Sequence, residues 1–236
     1  MQGKGWFAPR QSSKGKKSEY IWMSLQPVLI PWFFRVNLFL GFQFEGGQIM
    51  KIAVDAMGGD NAPDAIVKGA LAAAVAGRDI EIILVGNGDR IKDIALLPEN
   101  VSIVEAAETI ENEDKPLMAI RRKRNSSMVV ALQMVKDGTA DAVVSAGNTG
   151  AFMAGASLIV GRIPGLTKPA LAPVLPTQDG KGTVALDIGA TMDPKPENLF
   201  QYALMGNLYA QTVFGIPEPR IGLLNVGIEP EKGNEL

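Results

Sequence analysis

Residues 51–63, KIAVDAMGGDNAP, combine a short β-branched run with a glycine-rich turn. They lead directly into the alanine-rich stretch Asp64–Ala76, which Gly77 closes. The order of strand, glycine turn and helix is typical of a βα unit. Because successive positions of the run are apolar, rather than alternate ones, the strand is expected to be buried on both faces of its sheet. This stretch therefore predicts an α/β fold with a mainly parallel sheet.

The same alternation of strand and helix continues along the chain. Further strands are predicted at Glu81–Val85, Val101–Val104, Asp141–Ser145, Thr183–Leu186 and Arg220–Asn225. Further helices are predicted at Arg90–Leu97, from Ser126 or Ser127 to near Asp137, at Ala151–Val160 and at Glu197–Phe214. Strands that alternate with helices predict a doubly wound, three-layer fold with helices on both faces of the sheet.

The composition excludes several kinds of chemistry, since the 236 residues contain neither Cys nor His. Disulfides, thiolate nucleophiles, the usual zinc sites and imidazole-based triads are therefore impossible. The chain has no GxxxxGK[ST] motif, and the GxG at residues 86–88 lacks the third glycine of a dinucleotide fingerprint. We expect no cofactor and no metal, and chemistry that relies on carboxylates, Lys, Arg, hydroxyls, amides and backbone N–H groups.

Residues 1–49 differ from the rest of the chain. They hold 10 of the 15 aromatic residues and a net charge of +4, whereas residues 50–236 carry −6. Pro27, Pro31 and Arg35 interrupt the apolar part too often for a membrane span, which needs about 20 apolar residues. We interpret 1–49 as translated upstream sequence without defined structure, because its Glu-Gly-Gly can be encoded by a ribosome-binding sequence. An amphipathic membrane-surface arm is the alternative.

The other end of the chain also differs from the pattern. Every earlier strand of this type leads into a helix, whereas the predicted strand Arg220–Asn225 is followed only by the short segment that ends at Leu236. The sequence therefore leads us to expect that residues 50–236 are the N-terminal part of a longer α/β domain.

Candidate binding loops follow from the predicted sheet. In open parallel sheets, ligands bind outside the carboxyl ends of the strands, where helix N-termini favour anions. The loops there that combine glycine with small polar or acidic residues are Asp55–Asp60, Ser145–Gly150, Asp187–Thr191 and Asn225–Gly227. The alternative for any one loop is a simple turn. The second loop, SAGNTG, offers two hydroxyls, an amide and backbone N–H groups, more donors than a turn requires, so we predict that it binds an anion.

Residues 121–124, RRKR, form a basic cluster within residues 50–236, which carry a net charge of −6. They are either a solvated charge run, a site for a substrate phosphate, or a landing patch for an acidic partner. We do not expect this cluster to bind nucleic acid, because residues 50–236 carry a net charge of −6 and no aromatic residues for base stacking accompany the cluster. Lys181, in the turn Asp179–Thr183, is either a phosphate clamp or a solvated turn lysine.

Several long motifs carry a resemblance to one family. They are KIAVDAMGGDNAP at 51–63, MAIRRKRNSSMVVALQMVKDG at 118–138, DAVVSAGNTGAFMAGA at 141–156 and DIGATMDPKPENL at 187–199. Together they resemble the bacterial phosphate acyltransferases of phospholipid synthesis, the PlsX family, over 50–236 and not over 1–49. The resemblance implies a Rossmann-like fold related to phosphate acetyl- and butyryltransferases. It also implies transfer of a long-chain acyl group from acyl carrier protein to inorganic phosphate.

The resemblance implies partners and a location as well. The partners are acyl carrier protein, a second copy of the chain in a homodimer, and a glycerol-3-phosphate acyltransferase of the membrane that consumes the acyl phosphate. The location is the cytoplasm, with the inner face of the membrane as a site of peripheral contact. A short-chain phosphotransacylase that uses acyl-coenzyme A and a non-catalytic ligand-binding module of lipid synthesis are the alternative functions.

Candidate site residues follow from this reaction, in which phosphate is the nucleophile and a thiolate leaves. Such a reaction requires no histidine, but it requires positioning of the anion and donors for the tetrahedral oxyanion. The predicted catalytic residues are Ser145, Asn148, Thr149 and Gly150. The predicted substrate-binding residues are Asp55, Gly58, Gly59, Asp60, Arg121, Arg122, Lys123, Gly147, Lys181, Asp187 and Asn225.

Overall fold

The computed structural model describes residues 49–77, 79–180, 182–188, 191 and 194–224, together with the backbone of 21–24. The predictions for Lys181 and Asn225 lie outside these residues. The prediction for residues 1–49 also lies outside them, apart from residue 49 and the strand at 21–24.

The main sheet has five parallel strands. They are β1 (Ile21–Ser24), β2 (Met50–Asp55), β3 (Ile80–Gly86), β4 (Val101–Glu105) and β5 (Ala142–Ser145), in the spatial order β1-β5-β2-β3-β4. The helices are α1 (Asp64–Ala76), α2 (Gly88–Lys92), α3 (Pro116–Arg122), α4 (Ser127–Lys136), α5 (Thr149–Gly155) and α6 (Pro196–Phe214). A π-helical turn, Ala156–Val160, continues α5.

Side chains on both faces of the sheet are buried, as the continuous apolar runs predict. Along β3, Ile83 and Val85 pack in one core cluster with residues of α3, α4 and α5. The alternate residues Ile82 and Leu84 pack in a second cluster with residues of α1 and α2. This alternation gives the three layers of a doubly wound α/β fold, so the predicted fold class is confirmed.

The strand order changes direction next to β2. The chain adds β3 and then β4 on one side of β2, and afterwards returns to place β5 on the other side. Val54 of β2 pairs with Val144 of β5, so the two strands end side by side. A position where the strand order reverses is where ligands bind in such sheets. The carboxyl ends of β2 and β5 are therefore the expected binding edge.

Three predicted elements differ from the structure. The helix predicted at Arg90–Leu97 is only α2, which ends at Lys92; Ile94 and Leu97 still pack against the core cluster of Ile91, but outside a helix, and Leu96 is 97% exposed. The strand predicted at Thr183–Leu186 is the two-residue β7 (Thr183–Val184), which pairs antiparallel with β6 (Val174–Leu175). It does not extend the parallel sheet, because β5 already has a neighbour on each side.

The third difference concerns the predicted strand Arg220–Asn225. Its described part, residues 220–224, forms no strand. Leu223 and Leu224 are 71% and 85% exposed. A run of apolar residues becomes a strand only where a neighbouring strand takes its backbone hydrogen bonds, and no described strand lies beside this run.

Candidate functional site

The binding edge is built around Asp55, the last residue of β2, and Ser145, the last residue of β5. Asp55 is 1% exposed, and the Ser145 hydroxyl donates a hydrogen bond of 2.7 Å to its Oδ2. The N–H of Gly147 donates to the same hydroxyl oxygen at 3.1 Å. Two of the loops that the sequence predicts at the carboxyl ends of strands are therefore joined directly.

Glycine is required where the two loops meet. A Cβ on Gly58 would lie 2.3 Å from Asp55 Oδ2 and 3.2 Å from the Cα of Gly147. Gly59 has a φ of +112°, and a Cβ there would lie 3.0 Å from the carbonyl oxygen of Ala146. Because the loops contact backbone to backbone, these glycines do more than form turns.

Burial dominates the electrostatics of Asp55. Desolvation raises the pKa of its carboxyl above 3.8, while the hydroxyls of Ser127 and Ser145 and the N–H groups of Met57 and Gly58 oppose the rise. Among the described ion pairs, none involves this carboxyl. With donors but no cation beside it, the group keeps its proton to a higher pH than an exposed aspartic acid.

Ser127, the first residue of α4, lies with Ser145 beside the Asp55 carboxyl. It was not predicted as a site residue. Its hydroxyl is near enough to Asp55 to lower the pKa of that carboxyl. Even so, Ser127 Oγ and Asp55 Oδ1 are both buried without a partner at hydrogen-bond geometry. The sequence predicted a helix with Ser126 or Ser127 as its N-cap and an end near Asp137, and the structure has Ser126 as the N-cap and Asp137 as the C-cap. The serines in the sequence indicated only the start of a helix, and they gave no indication that a buried carboxyl lies beside Ser127.

The Asn148 side chain is fully engaged with backbone groups. Its Oδ1 accepts from the N–H of Ala151 at 2.9 Å and so caps α5. Its Nδ2 donates to the carbonyls of Glu111, Asn112 and Asp114 at 3.2, 3.0 and 3.1 Å. This amide, predicted as a donor to the oxyanion, instead holds a neighbouring loop and a helix start, which favours a positioning role.

Thr149 and Gly150 form the exposed first turn of α5. The N–H groups of the first turn of a helix have no intrahelical partner. Asn148 accepts from the N–H of Ala151 through its side chain and from that of Phe152 through its carbonyl. No hydrogen bond from the N–H group of Thr149 or Gly150 is seen among the described residues, and exposed N–H groups at a helix start are donors suited to an anion.

The loop between β4 and α3 forms a third wall that the sequence analysis missed. Asn112 Nδ2 donates to Asp60 Oδ1 at 2.7 Å, which ties this loop to the end of the β2 loop. Asp60, predicted to bind substrate, is exposed and has this amide as its partner. The sequence could have indicated this loop, because the acidic run 108–114 follows the end of a strand, where the binding loops of parallel sheets lie.

The basic cluster 121–124 divides into two parts. Lys123 Nζ lies 2.5 Å from Asp114 Oδ2 and 2.9 Å from the carbonyl oxygen of Thr109, so this predicted substrate contact is engaged with the protein itself. Arg121, Arg122 and Arg124 are exposed, and none of them forms an ion pair with another described residue. Of the predicted contacts, Arg121 and Arg122 are therefore the ones with a free charge.

Asp187 does not lie where the sequence predicted. It follows β7, outside the parallel sheet, with a φ of +54°. Its two carboxylate oxygens are buried without a hydrogen-bond partner. Burial and the negative charge of Asp187 raise the pKa of Tyr202, whose hydroxyl lies 3.2 Å from Thr191 Oγ1. The described contacts of Asp187 are with the Leu171 carbonyl, to which its N–H donates at 2.8 Å, and with Tyr202 of α6, and none of them involves the Asp55–Ser145 pair.

The described part of the chain lacks both a metal-binding carboxylate cluster and a membrane-spanning helix. It contains no group of three or more Asp or Glu side chains that could hold a metal ion. It also contains no helix that is both long and apolar enough to span a membrane.

Comparison with known proteins shows similarity to one family over residues 50–236. A family model described as fatty acid synthesis protein matches residues 50–236. A phosphate acyltransferase of Geobacillus thermodenitrificans is 57% identical over 186 residues, which cover 79% of this chain and 57% of the relative. Phosphate acyltransferases of Bacillus cereus and of Caldanaerobacter subterraneus are each 54% identical over 187 residues, covering 79% of this chain and 57% and 56% of the relatives. The chain thus spans somewhat more than half of the length of these relatives.

Proposed function

This chain belongs to the fatty acid synthesis protein family, and we propose that it is part of a phosphate acyltransferase that transfers a long-chain acyl group from acyl carrier protein to inorganic phosphate. In this reaction a phosphate oxygen attacks the thioester carbonyl, the C–S bond breaks, and the phosphate proton passes to the departing thiolate. The products are acyl phosphate and free acyl carrier protein. The proposal concerns residues 50–236, which the family model matches and which correspond to somewhat more than half of the length of the relatives.

One observation carries the proposal: the backbone contact of two glycine loops at the position where the strand order reverses, directly before α5 begins. A Cβ on Gly58 would lie 3.2 Å from the Cα of Gly147, so no side chain separates the loops. The exposed first turn of α5 follows within two residues, at Thr149. A site of this kind holds an anion by backbone N–H groups and leaves room for a second reactant beside it.

The residues take separate roles in this proposal. Thr149 and Gly150 bind the phosphate or the developing oxyanion through their N–H groups and the Thr149 hydroxyl. Asp55 and Ser145 fix the loop that leads to them, since the Ser145 hydroxyl both donates to Asp55 and accepts from Gly147. Neither a histidine base nor a side-chain nucleophile is needed, because the substrate phosphate supplies the attacking oxygen.

The exposed arginines of the basic cluster are proposed to receive the carrier protein. Arg121, Arg122 and Arg124 have no ion-pair partner among the described residues, so their charges can attract an acidic surface. We further propose that the enzyme works as a homodimer on the cytoplasmic side of the membrane. Its acyl phosphate would pass to a membrane glycerol-3-phosphate acyltransferase.

A chimera tests the reaction, with residues 50–236 replacing the matching segment of the Geobacillus thermodenitrificans relative. The chimera and the unchanged relative are incubated with phosphate and either long-chain acyl carrier protein or acyl-coenzyme A of several chain lengths. We expect acyl phosphate from acyl carrier protein at a rate comparable to that of the relative. A folded chimera that prefers short-chain acyl-coenzyme A supports the alternative phosphotransacylase, and one that binds without turnover supports the non-catalytic module.

A further inference from the structure

The loop 109–114 is held in shape by bonds from several directions. The N–H of Glu111 donates to Asp114 Oδ2 at 2.9 Å, which closes the loop on itself. Three carbonyls of the loop, those of Glu111, Asn112 and Asp114, converge on the single amide nitrogen of Asn148 within 3.2 Å. Such convergence requires a specific loop conformation, because an extended segment cannot direct three carbonyls at one atom.

Lys123 closes the other side of this loop. Its ammonium donates to the Thr109 carbonyl at 2.9 Å and to Asp114 Oδ2 at 2.5 Å, so one side chain contacts both ends of the loop. The Asp114 carboxylate oxygen in turn accepts both this ammonium and the N–H of Glu111. The Lys123–Asp114 ion pair is therefore part of a connected hydrogen-bond network and not an isolated contact.

The other described ion pairs are longer and more exposed. Lys68 and Asp64 lie 3.4 Å apart with side chains 66% and 68% exposed, and Lys51 and Glu81 lie 3.5 Å apart with side chains 50% and 34% exposed. Such exposed pairs contribute little. The side chains of Lys123 and Asp114 are 31% and 28% exposed. A half-buried pair with further hydrogen bonds on both partners is more strongly constrained in geometry.

We propose that Asp114 and Lys123 are positioning residues whose ion pair holds the loop 109–114 against Asn148 and thereby fixes the first turn of α5. The consequence for phosphate rests on the function proposed above for Thr149 and Gly150. These contacts link Lys123 to α5 without a gap, because the Asn148 side chain that donates to the loop carbonyls also caps α5 by accepting from the N–H of Ala151. Lys123 therefore acts through the loop and does not contact substrate.

The test uses Lys123→Met and Asp114→Asn. Lys123→Arg serves as the conservative variant, and Lys68→Met, which breaks the exposed pair, as the control. Hydrogen–deuterium exchange of the 236-residue chain without substrate measures the amides of 111–114 and 149–151. We expect Lys123→Met and Asp114→Asn to speed exchange in both segments about tenfold, and Lys123→Arg and Lys68→Met to leave exchange there unchanged. Faster exchange at 111–114 alone would overturn the inference, since the pair would then stabilise only its own loop.

The second readout concerns phosphate in the chimera. Lys123→Met should raise the KM for phosphate about tenfold while the KM for acyl carrier protein stays unchanged, because the binding N–H groups shift but the exposed arginines do not. An unchanged KM for phosphate, or an increase in the KM for the carrier protein instead, contradicts the proposal. If the unsubstituted chimera forms no acyl phosphate, the proposed function fails, and the exchange measurement, which needs no substrate, still decides whether the pair fixes α5.

Discussion

The hydroxyl of Ser145 donates a hydrogen bond of 2.7 Å to the buried carboxyl of Asp55, although the two residues are 90 positions apart in sequence. The bond joins the ends of two neighbouring parallel strands at the position where the strand order reverses. A buried acid without a cation is unfavourable in its charged form. The site therefore combines hydrogen bonds that hold the loops with an acid whose ionisation opposes folding.

Replacing Asp55 by Asn should change how stability depends on pH. The pKa of Asp55 is raised in the folded state, so the folded chain binds its proton more tightly than the unfolded chain, whose pKa is near 3.8. The stabilisation from this group is complete below about pH 3.8 and is lost as the pH rises through the raised folded pKa. Asp55→Asn should therefore gain stability relative to wild type as the pH rises through this window, measured by urea unfolding.

The matched control for this variant is Asp79→Asn, which removes an exposed carboxylate. Its stability relative to wild type should vary little over the same pH range. A difference between Asp55→Asn and wild type that stays constant with pH would show that the pKa of Asp55 is the same in the folded and the unfolded chain, and it would contradict this prediction.

A methyl group at Gly58 should disrupt the contact between the loops. The added Cβ would lie 2.3 Å from Asp55 Oδ2 and 3.2 Å from the backbone of Gly147, so one of the two loops must move. We expect Gly58→Ala to cost about 1–3 kcal/mol in the free energy of unfolding and to reduce acyl phosphate formation by the chimera. Gly69→Ala on α1, where a Cβ meets no atom within 4 Å, should instead gain about 0.5–1 kcal/mol.

The sheet edge at which Asp55 and Ser145 lie could be predicted, whereas their direct contact depends on a strand order that only the structure shows. Both residues end apolar runs, and parallel strands end at the same edge of a sheet. The partners of Asn148 could not be predicted, since they are carbonyls 34 to 37 positions away in a loop without periodicity. The same limit applies to Lys123, whose place in a basic run indicated free charge, whereas its geometry pairs it with Asp114.

Two substitutions of Asn148 should separate its two functions. Asn148→Asp keeps an oxygen that can cap α5 but loses the donors to the loop carbonyls, whereas Asn148→Ala loses both. Hydrogen exchange should become faster at 111–114 in both variants, and at 149–151 to a greater extent in Asn148→Ala. Equal exchange at 149–151 in the two variants would contradict the capping role.

Lowering the pH should loosen the loop 109–114 through Asp114. Lys123 donates to Asp114 and, together with the N–H of Glu111, holds the pKa of that carboxyl below 3.8. Since the folded pKa is the lower one, the stabilisation is present above about pH 3.8 and is lost as the pH falls through the folded pKa. Amide exchange at 111–114, corrected for its intrinsic pH dependence, should rise in this acidic range in wild type and not in Asp114→Asn. The same acceleration in Asp114→Asn would assign the effect to another carboxylate.

Charge reversal of the exposed arginines should weaken binding of the carrier protein in a salt-dependent way. Arg121 and Arg122 are exposed without an ion-pair partner among the described residues, so reversing their charge breaks no internal contact given for those side chains. The Debye length falls from about 30 Å at 0.01 M salt to about 8 Å at 0.15 M, so the effect should be large at low ionic strength and small at high. We expect the double variant Arg121→Glu, Arg122→Glu to raise the KM for acyl carrier protein at least tenfold at low salt in the chimera, with little change in the KM for phosphate. The double variant Arg90→Glu, Lys92→Glu on α2, at two exposed basic residues outside the cluster, changes the net charge by the same amount and should have a much smaller effect. If the KM for the carrier protein is insensitive to both substitutions and to salt, the cluster is a solvated charge run; if the KM for phosphate rises instead, the arginines belong to the phosphate site.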